Sequence, residues 1–346
     1  MSDLPLLVTM GDPAGIGPEI VTLSFARLPG FEGVVVGDLG VMRQAATRLA
    51  QQGHPAVRVL PLQTLEDFNT RTPSRPTDEC VMPVLQVAPD LPPIALGQVS
   101  AVAGQASALA VEWATQAVLA GRARGLATAP IHKQAWHAAG LNYPGHTEML
   151  QALCARHLRC GVADLPVRMM LATPRLKVVL VTIHLALRDA IAALDVDLVL
   201  HTLRIAHRDL TRQLQRPPRL VVAGLNPHAG EGGQMGDEEI RILAPAIRMA
   251  QEEGLQVSGP LPSDTVFLQA LDPDQHPDRF DAVVVMYHDQ GLIPIKLLGF
   301  DEGVNVTLGL PVRRTSPDHG TAFDLAGSGR ARPDSMMAAM QALSLF

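Results

Sequence analysis

Three observations predict an α/β fold with a mostly parallel sheet in each part. Short apolar, β-branched runs alternate along the whole chain with longer segments of helical spacing. Many of these runs end in turns bearing Gly, His or Asp, the place where α/β proteins collect ligands. The chain has 346 residues, 47% of them apolar, which is enough for two domains or one large α/β unit.

Residues 4–10 read as a buried first strand running into Gly11-Asp12-Pro13-Ala14-Gly15-Ile16-Gly17-Pro18-Glu19. Pro18 suits the first helical position and Glu19 the positive end of the helix that follows. Residues 34–37 form a second strand, ending at Asp38. This invites a dinucleotide-binding reading with Asp38 on a ribose, but the spacing fails: a G-x-G-x-x-G begun at Gly15 and Gly17 puts Ile20 where the third glycine belongs. The turn is a tight strand-to-helix connection or a ligand contact. A helix over 40–52 and a strand over 57–62 follow. Residues 63–97 are rich in Pro, Thr and Asp and read as an irregular excursion containing a hairpin. Residues 100–120 are a helix that Gly121 ends, and 125–129 a strand leading to a helix near Lys133. Tyr143 to Glu148 is a turn opening a helix, with Thr147 as its cap. A helix start flanked by His146 and a hydroxyl suits a phosphate or carboxylate. A plain capped helix is the alternative.

Two strands, 167–172 and 177–182, lead to His184. A helix over 195–215 carries His201 and His207 on different faces, as ordinary surface residues. The strand over 219–224 runs into Asn226-Pro227-His228-Ala229-Gly230-Glu231-Gly232-Gly233. A helix over 237–253 is kinked or divided by Pro245, and a strand over 257–261 precedes a helix start at Ser263-Asp264-Thr265. The strand over 282–286 ends in Tyr287-His288-Asp289-Gln290-Gly291. Lys296, Asn305, Arg313, Arg314, Asp318 and His319 follow, separated by Gly and Pro, as a functional loop region or a polar surface.

The net charge of −6 is spread without a basic stripe, which argues against nucleic acid as the main partner. Cys80, Cys154 and Cys160 make neither a zinc pattern nor a disulfide framework. No secretory signal and no membrane-length apolar run is visible, so the expected location is the cytoplasm, with no membrane partner. Only Lys133, Lys177 and Lys296 are lysines among 28 basic residues, which draws attention to Lys296 as a titratable ammonium. His184, His228 and His288 each follow a buried strand. Imidazole is a common ligand for divalent metals, and three protein ligands with an open position describe a catalytic site. General bases or buried polar groups are the alternatives. Lys296, Arg314 and Asn305 suit an anionic, phosphorylated substrate.

The motifs GDPAGIGPE, GHTEML, NPHAGEGG, GPLPSDT, YHDQG, GVNVTLGLP and RTSPDHGTAFDLAG occur in this order. With them the chain resembles the 4-hydroxythreonine-4-phosphate dehydrogenase family of vitamin B6 biosynthesis, nearly end to end. The resemblance implies two α/β/α domains flanking a cleft, similar to isocitrate and isopropylmalate dehydrogenases. It places a discontinuous cofactor-side domain at 1–130 plus about 290–346, and a metal, substrate and dimerisation domain at about 131–289. It implies metal ligands His184, His228 and His288, one of them supplied across a homodimer, and substrate residues His146, Thr147, Lys296, Asn305 and Arg314. HGTAFDLAG is similar to a loop around the cofactor adenosine, giving His319, Gly320, Thr321 and Asp324 as cofactor contacts.

The implied reaction is oxidation of 4-phosphooxy-L-threonine by NAD or NADP with a divalent metal, zinc first, with cobalt, magnesium or manganese as alternatives. Decarboxylation to 3-amino-2-oxopropyl phosphate follows. Lys296 is assigned proton transfer, and Asp264 or Asp289 the orientation of a ligand histidine. Related readings are a dehydrogenase for phosphorylated threonate or erythronate, one for a cis-dihydrodiol, and a catalytically silent metal- and ligand-binding protein. A phosphate-binding acyl or phosphoryl transferase of similar fold would leave HGTAFDLAG without a purpose.

Overall fold

A computed structural model describes residues 4–71, 80–276, 278–299 and 302–345. In chain order the elements are β1 (Leu6–Thr9), α1 (Gly17–Arg27), β2 (Gly33–Gly37), α2 (Leu39–Gln51), β3 (Val57–Leu62), α3 (Asp67–Arg71), β4 (Cys80–Gln86), α4 (Ala101–Leu119), β5 (Leu126–Thr128), α5 (Lys133–Ala138) and α6 (His146–Leu158). They continue with β6 (Arg168–Ala172), β7 (Lys177–Leu180), α7 (Leu187–Ala193), α8 (Val196–Leu214), β8 (Leu220–Ala223), α9 (Ala244–Glu252), β9 (Val257–Leu261), β10 (Ala282–Val285), α10 (His288–Gly299), β11 (Val304–Leu308), β12 (Arg314–Pro317) and α11 (Asp334–Leu345).

The chain divides into two compact units, the first Met1–Leu165 with Leu310–Leu345, the second centred on Pro166–Gly309. These limits differ from the expected 130 and 290. Residues 131–165 stay with the first unit because α5 and α6 both lie against α4. Residues 290–309 stay with the second because α10 lies on β7 and β11 pairs with β6.

In the first unit the described strands run in the order β3-β4-β2-β1-β5-β12, every pairing parallel. β1 and β2 are buried along their whole length, as the continuous apolar runs require for a sheet covered on both faces. β4 is parallel to both β2 and β3, which corrects the hairpin expected within 63–97; residues 72–79 of that excursion lie outside the described residues. Ser100 caps α4, accepting from Ala103 N. The core joins Val8, Ile20, Val35, Met82 and Met340, the last from α11, a helix that the Ala- and Met-rich terminus did not announce.

In the second unit the order is β11-β6-β7-β10-β8-β9. β7, β10, β8 and β9 are parallel, but β6 runs antiparallel to both β7 and β11, so the expectation of a mostly parallel sheet needs correction on this side. The four-residue link between β6 and β7 is a tight turn closed by Thr173, whose backbone N–H donates to Leu176 O at 2.9 Å. The helix expected over 237–253 begins with a π-helical stretch, Glu239–Leu243, and becomes α-helical at Ala244, beside Pro245.

Candidate active site

In the second unit β7, β10 and β8 are neighbours, and their carboxyl ends lead to His184, His288 and His228. The rings of His184 and His288 lie 5.8 Å apart between centroids, tilted by 42°. His288 opens α10, and Asp289 Oδ1 sits 2.7 Å from its Nδ1. His228 is exposed, with Glu231 Oε2 at 3.1 Å from its Nδ1. A carboxylate on Nδ1 fixes the tautomer and leaves Nε2 to face a ligand, the usual arrangement around metal-bound histidine. The donor chemistry therefore fits a divalent metal. Among the described residues of this single chain, however, no three His, Cys, Asp or Glu side chains converge as a metal-binding group. His184 and His288 come together; His228 does not join them.

The backbone around His228 was not legible in advance. His228, Ala229, Gly230, Glu231, Gly232 and Gly233 all have positive φ, so the chain winds through a left-handed turn. Three of these residues carry a Cβ, at a cost of about 1–2 kcal/mol each. Buried Glu239 holds the entry to the turn, accepting from Leu225 N and Asn226 N at 2.7 Å and from Asn226 Nδ2 at 2.9 Å. Gln290, two residues beyond His288, ties three strand ends together. It accepts from Met286 N at 2.6 Å and donates to Gly224 O at 2.6 Å and Ser263 Oγ at 2.9 Å. Of the two aspartates expected to orient a histidine, Asp289 lies against one, with its Oδ1 2.7 Å from His288 Nδ1. Asp264 is exposed in the turn after β9 and, among the described residues, bonds to none of the three histidines. Lys296 is exposed on α10, and Asn305 is half-buried on β11, its Nδ2 3.3 Å from Met169 Sδ.

The first unit holds the other expected substrate residues. Arg314, on β12, is 4% exposed, and its Nε and Nη2 donate to Thr128 Oγ1 at 3.1 and 2.9 Å. Burial pushes this guanidinium down to about 10, with Glu148 opposing. Burial, then Arg314, hold His146 well below the ordinary histidine value, so its imidazole is neutral at pH 7. Its Nε2 is sealed from solvent with no hydrogen-bond partner among the described residues, and its ring meets Trp136 edge-on at 5.6 Å. Thr147 does not cap α6. The cap position belongs to Gly145, which has no side chain, and Thr147 lies within the first turn. The helix start therefore keeps its N–H donors for another acceptor. Thr128 was missed from sequence because a threonine ending a short strand carries no signal of its own.

The Gly-rich turn and the segment HGTAFDLAG meet within this unit. Ile16 N donates to Thr321 O at 3.0 Å, and a Cβ on Gly15 would come within 3.0 Å of Thr321. Phe323 stacks on His132 at 4.5 Å. His319, Gly320 and Asp324 face solvent, whereas Thr321 is built into the floor. Asp38 is engaged structurally: Oδ1 caps α2 by accepting from Val41 N at 2.8 Å, and Oδ2 accepts from Gln86 Nε2 at 3.0 Å and Leu91 N at 3.1 Å. Both Asp38 oxygens are thus taken up by donors within the unit.

The family model described as pyridoxal phosphate biosynthetic protein PdxA matches residues 31–343. The chain belongs to the PdxA family. Its relatives include a 4-hydroxythreonine-4-phosphate dehydrogenase of Beijerinckia indica, 47% identical over 338 residues, which span 97% of this chain and 93% of that protein. A D-threonate 4-phosphate dehydrogenase of Pectobacterium atrosepticum is 43% identical over 343 residues, 97% of each. The crystal structure of a 4-hydroxythreonine-4-phosphate dehydrogenase from Klebsiella pneumoniae superposes with a TM-score of 0.84 at 41% identity, covering 99% of this chain and 98% of that one. The chain thus shares the α/β fold of that enzyme over 99% of its length.

Proposed function

We propose that this PdxA chain oxidises the secondary alcohol of 4-phosphooxy-L-threonine with NAD or NADP, and that 2-amino-3-oxo-4-phosphooxybutanoate then loses carbon dioxide to give 3-amino-2-oxopropyl phosphate. The observation that carries this reading is the His184–His288 pair at the ends of adjacent parallel strands, with Asp289 on His288 Nδ1. His184, His228 and His288 are the ligands for a divalent metal, zinc fitting a three-histidine donor set best. When bound, that metal supplies Lewis acidity toward the alcohol oxygen. Asp289 holds the His288 tautomer. Arg314, Thr147 and neutral His146 take the phosphate, and Asn305 adds a hydrogen bond. A bound nicotinamide would supply the hydride acceptor, and the alcohol proton would leave to solvent. After carbon dioxide departs, Lys296 protonates the carbon that carried it. His319, Gly320, Thr321 and Asp324 line the cofactor.

A homodimer fits the same surfaces. Leu185 and Leu187 follow His184, Met235 and Ile240 follow His228, and Ile293 and Leu297 flank Lys296; all six are exposed, Leu297 by 83%. A second copy covering them would also let His228 complete a metal site across the pair. The competing substrate is D-threonate 4-phosphate, after the Pectobacterium atrosepticum relative. Comparison of kcat/KM for the two compounds, with each of NAD and NADP, decides between them. A clear preference for 4-phosphooxy-L-threonine supports the proposal, and a preference for the threonate phosphate replaces it.

A further inference from the structure

The segment that follows β12 has no helix or strand until α11, yet it is tied down at both ends. Its leading arm is fixed by Ile16 N on Thr321 O and by the Phe323–His132 stack. Its return arm, Gly327 to Gly329, is fixed by side chains from elsewhere in the first unit. Glu19, 2% exposed in the first turn of α1, accepts the Gly327 N–H. Gln52 Nε2 donates to Gly327 O at 3.0 Å, and His54 Nε2 lies 2.9 Å from Gly329 O. Gly53, with φ +87°, ends α2 and turns the chain so that Gln52 and His54 both reach the arm. Arg48 Nη1 stands 3.8 Å from Glu19 and offsets part of the cost of burying a carboxylate there.

A carboxylate this deep has no part in the chemistry proposed above. The first turn of a helix favours an acid, but that preference is satisfied at the surface and does not require burial. The specific feature is the bond to Gly327, 308 residues away in sequence. We infer that Glu19, with Gln52 and His54, is a positioning residue for dinucleotide binding: it holds the return arm of the cofactor loop so that the exposed face, His319, Gly320 and Asp324, keeps one shape. A loop held in its bound shape loses less freedom when the dinucleotide arrives, so the latch acts on cofactor affinity rather than on the chemical step. The inference rests on reading HGTAFDLAG as the cofactor loop.

The test uses the full-length, metal-loaded protein and titrates NAD and NADP by calorimetry beside steady-state kinetics. Glu19→Ala removes the acceptor and is expected to raise the cofactor Kd and KM about tenfold, with kcat at saturating cofactor within about twofold and the substrate KM unchanged. Glu19→Gln keeps a carbonyl acceptor and is expected to restore most of the affinity. Gln52→Ala and His54→Ala, which leave the core untouched, are each expected to weaken cofactor binding about two- to fourfold. Unchanged cofactor affinity in Gln52→Ala, His54→Ala and a folded Glu19→Ala overturns the latch alone. If the wild-type protein binds neither dinucleotide, the cofactor-loop reading falls, and the latch with it.

Discussion

Replacing Gln290 by Met probes how the histidine-bearing strand ends are held. Methionine has nearly the length and volume of glutamine, so the packing change is small. It deletes three hydrogen bonds, to Met286 N, Gly224 O and Ser263 Oγ, of 2.6, 2.6 and 2.9 Å. At about 0.5–1.5 kcal/mol each, the loss is roughly 1.5–4.5 kcal/mol. Gly224 O still accepts from Ser263 Oγ, but the Met286 N–H loses the Gln290 acceptor in a buried position, so the upper half of that range is expected, about 3–4.5 kcal/mol. Urea unfolding followed by circular dichroism reads this loss. Because Gln290 joins the end of β10 to those of β8 and β9, metal affinity measured by calorimetry should fall by about tenfold or more. Stability within about 0.5 kcal/mol of wild type, with unchanged metal binding, would refute the bracing role.

Other consequences follow from the same geometry. Arg314→Lys keeps the charge but loses the planar fork now set on Thr128 Oγ1, and the KM for the phosphorylated substrate should rise about 10- to 100-fold with the cofactor KM unchanged. His146 stays neutral in the folded protein while an unfolded histidine titrates near 6.5. Below that pH the unfolded state binds the extra proton, so ligand-free stability falls as pH drops through about 6.5; His146→Gln should flatten that slope by up to one proton, read by denaturation at a series of pH values. Glu231→Ala frees His228 Nδ1 and should weaken zinc binding about tenfold by calorimetry, with little change in substrate-free stability because both residues are exposed.

Much of the fold was visible in the apolar runs because β1, β2, β8 and β10 are buried on both faces and leave unbroken apolar stretches. α10 was hidden because Gly291 and Pro294 interrupt its pattern, so the segment read as loop. β4 read as part of an irregular excursion because partner direction is set by the crossover, which short apolar runs do not encode. The candidate residues themselves stood out, since His184, His228 and His288 follow strands and Arg314 sits in a long motif. Their supports did not. Gln290, Glu239 and Glu19 act on backbone groups that only the folded chain brings near, Glu19 across 308 residues. The left-handed turn at His228 was equally silent, because Ala229 and Glu231 carry no sign of positive φ.

The proposed metal-dependent oxidation is read without intermediaries as NADH or NADPH formation by the purified protein with 4-phosphooxy-L-threonine. Turnover is expected to stop when a chelator removes the metal, to return when zinc or another divalent ion is added, and to fall by orders of magnitude in His184→Ala and His288→Ala. Turnover that persists through exhaustive chelation, or survives loss of both histidines, would contradict it.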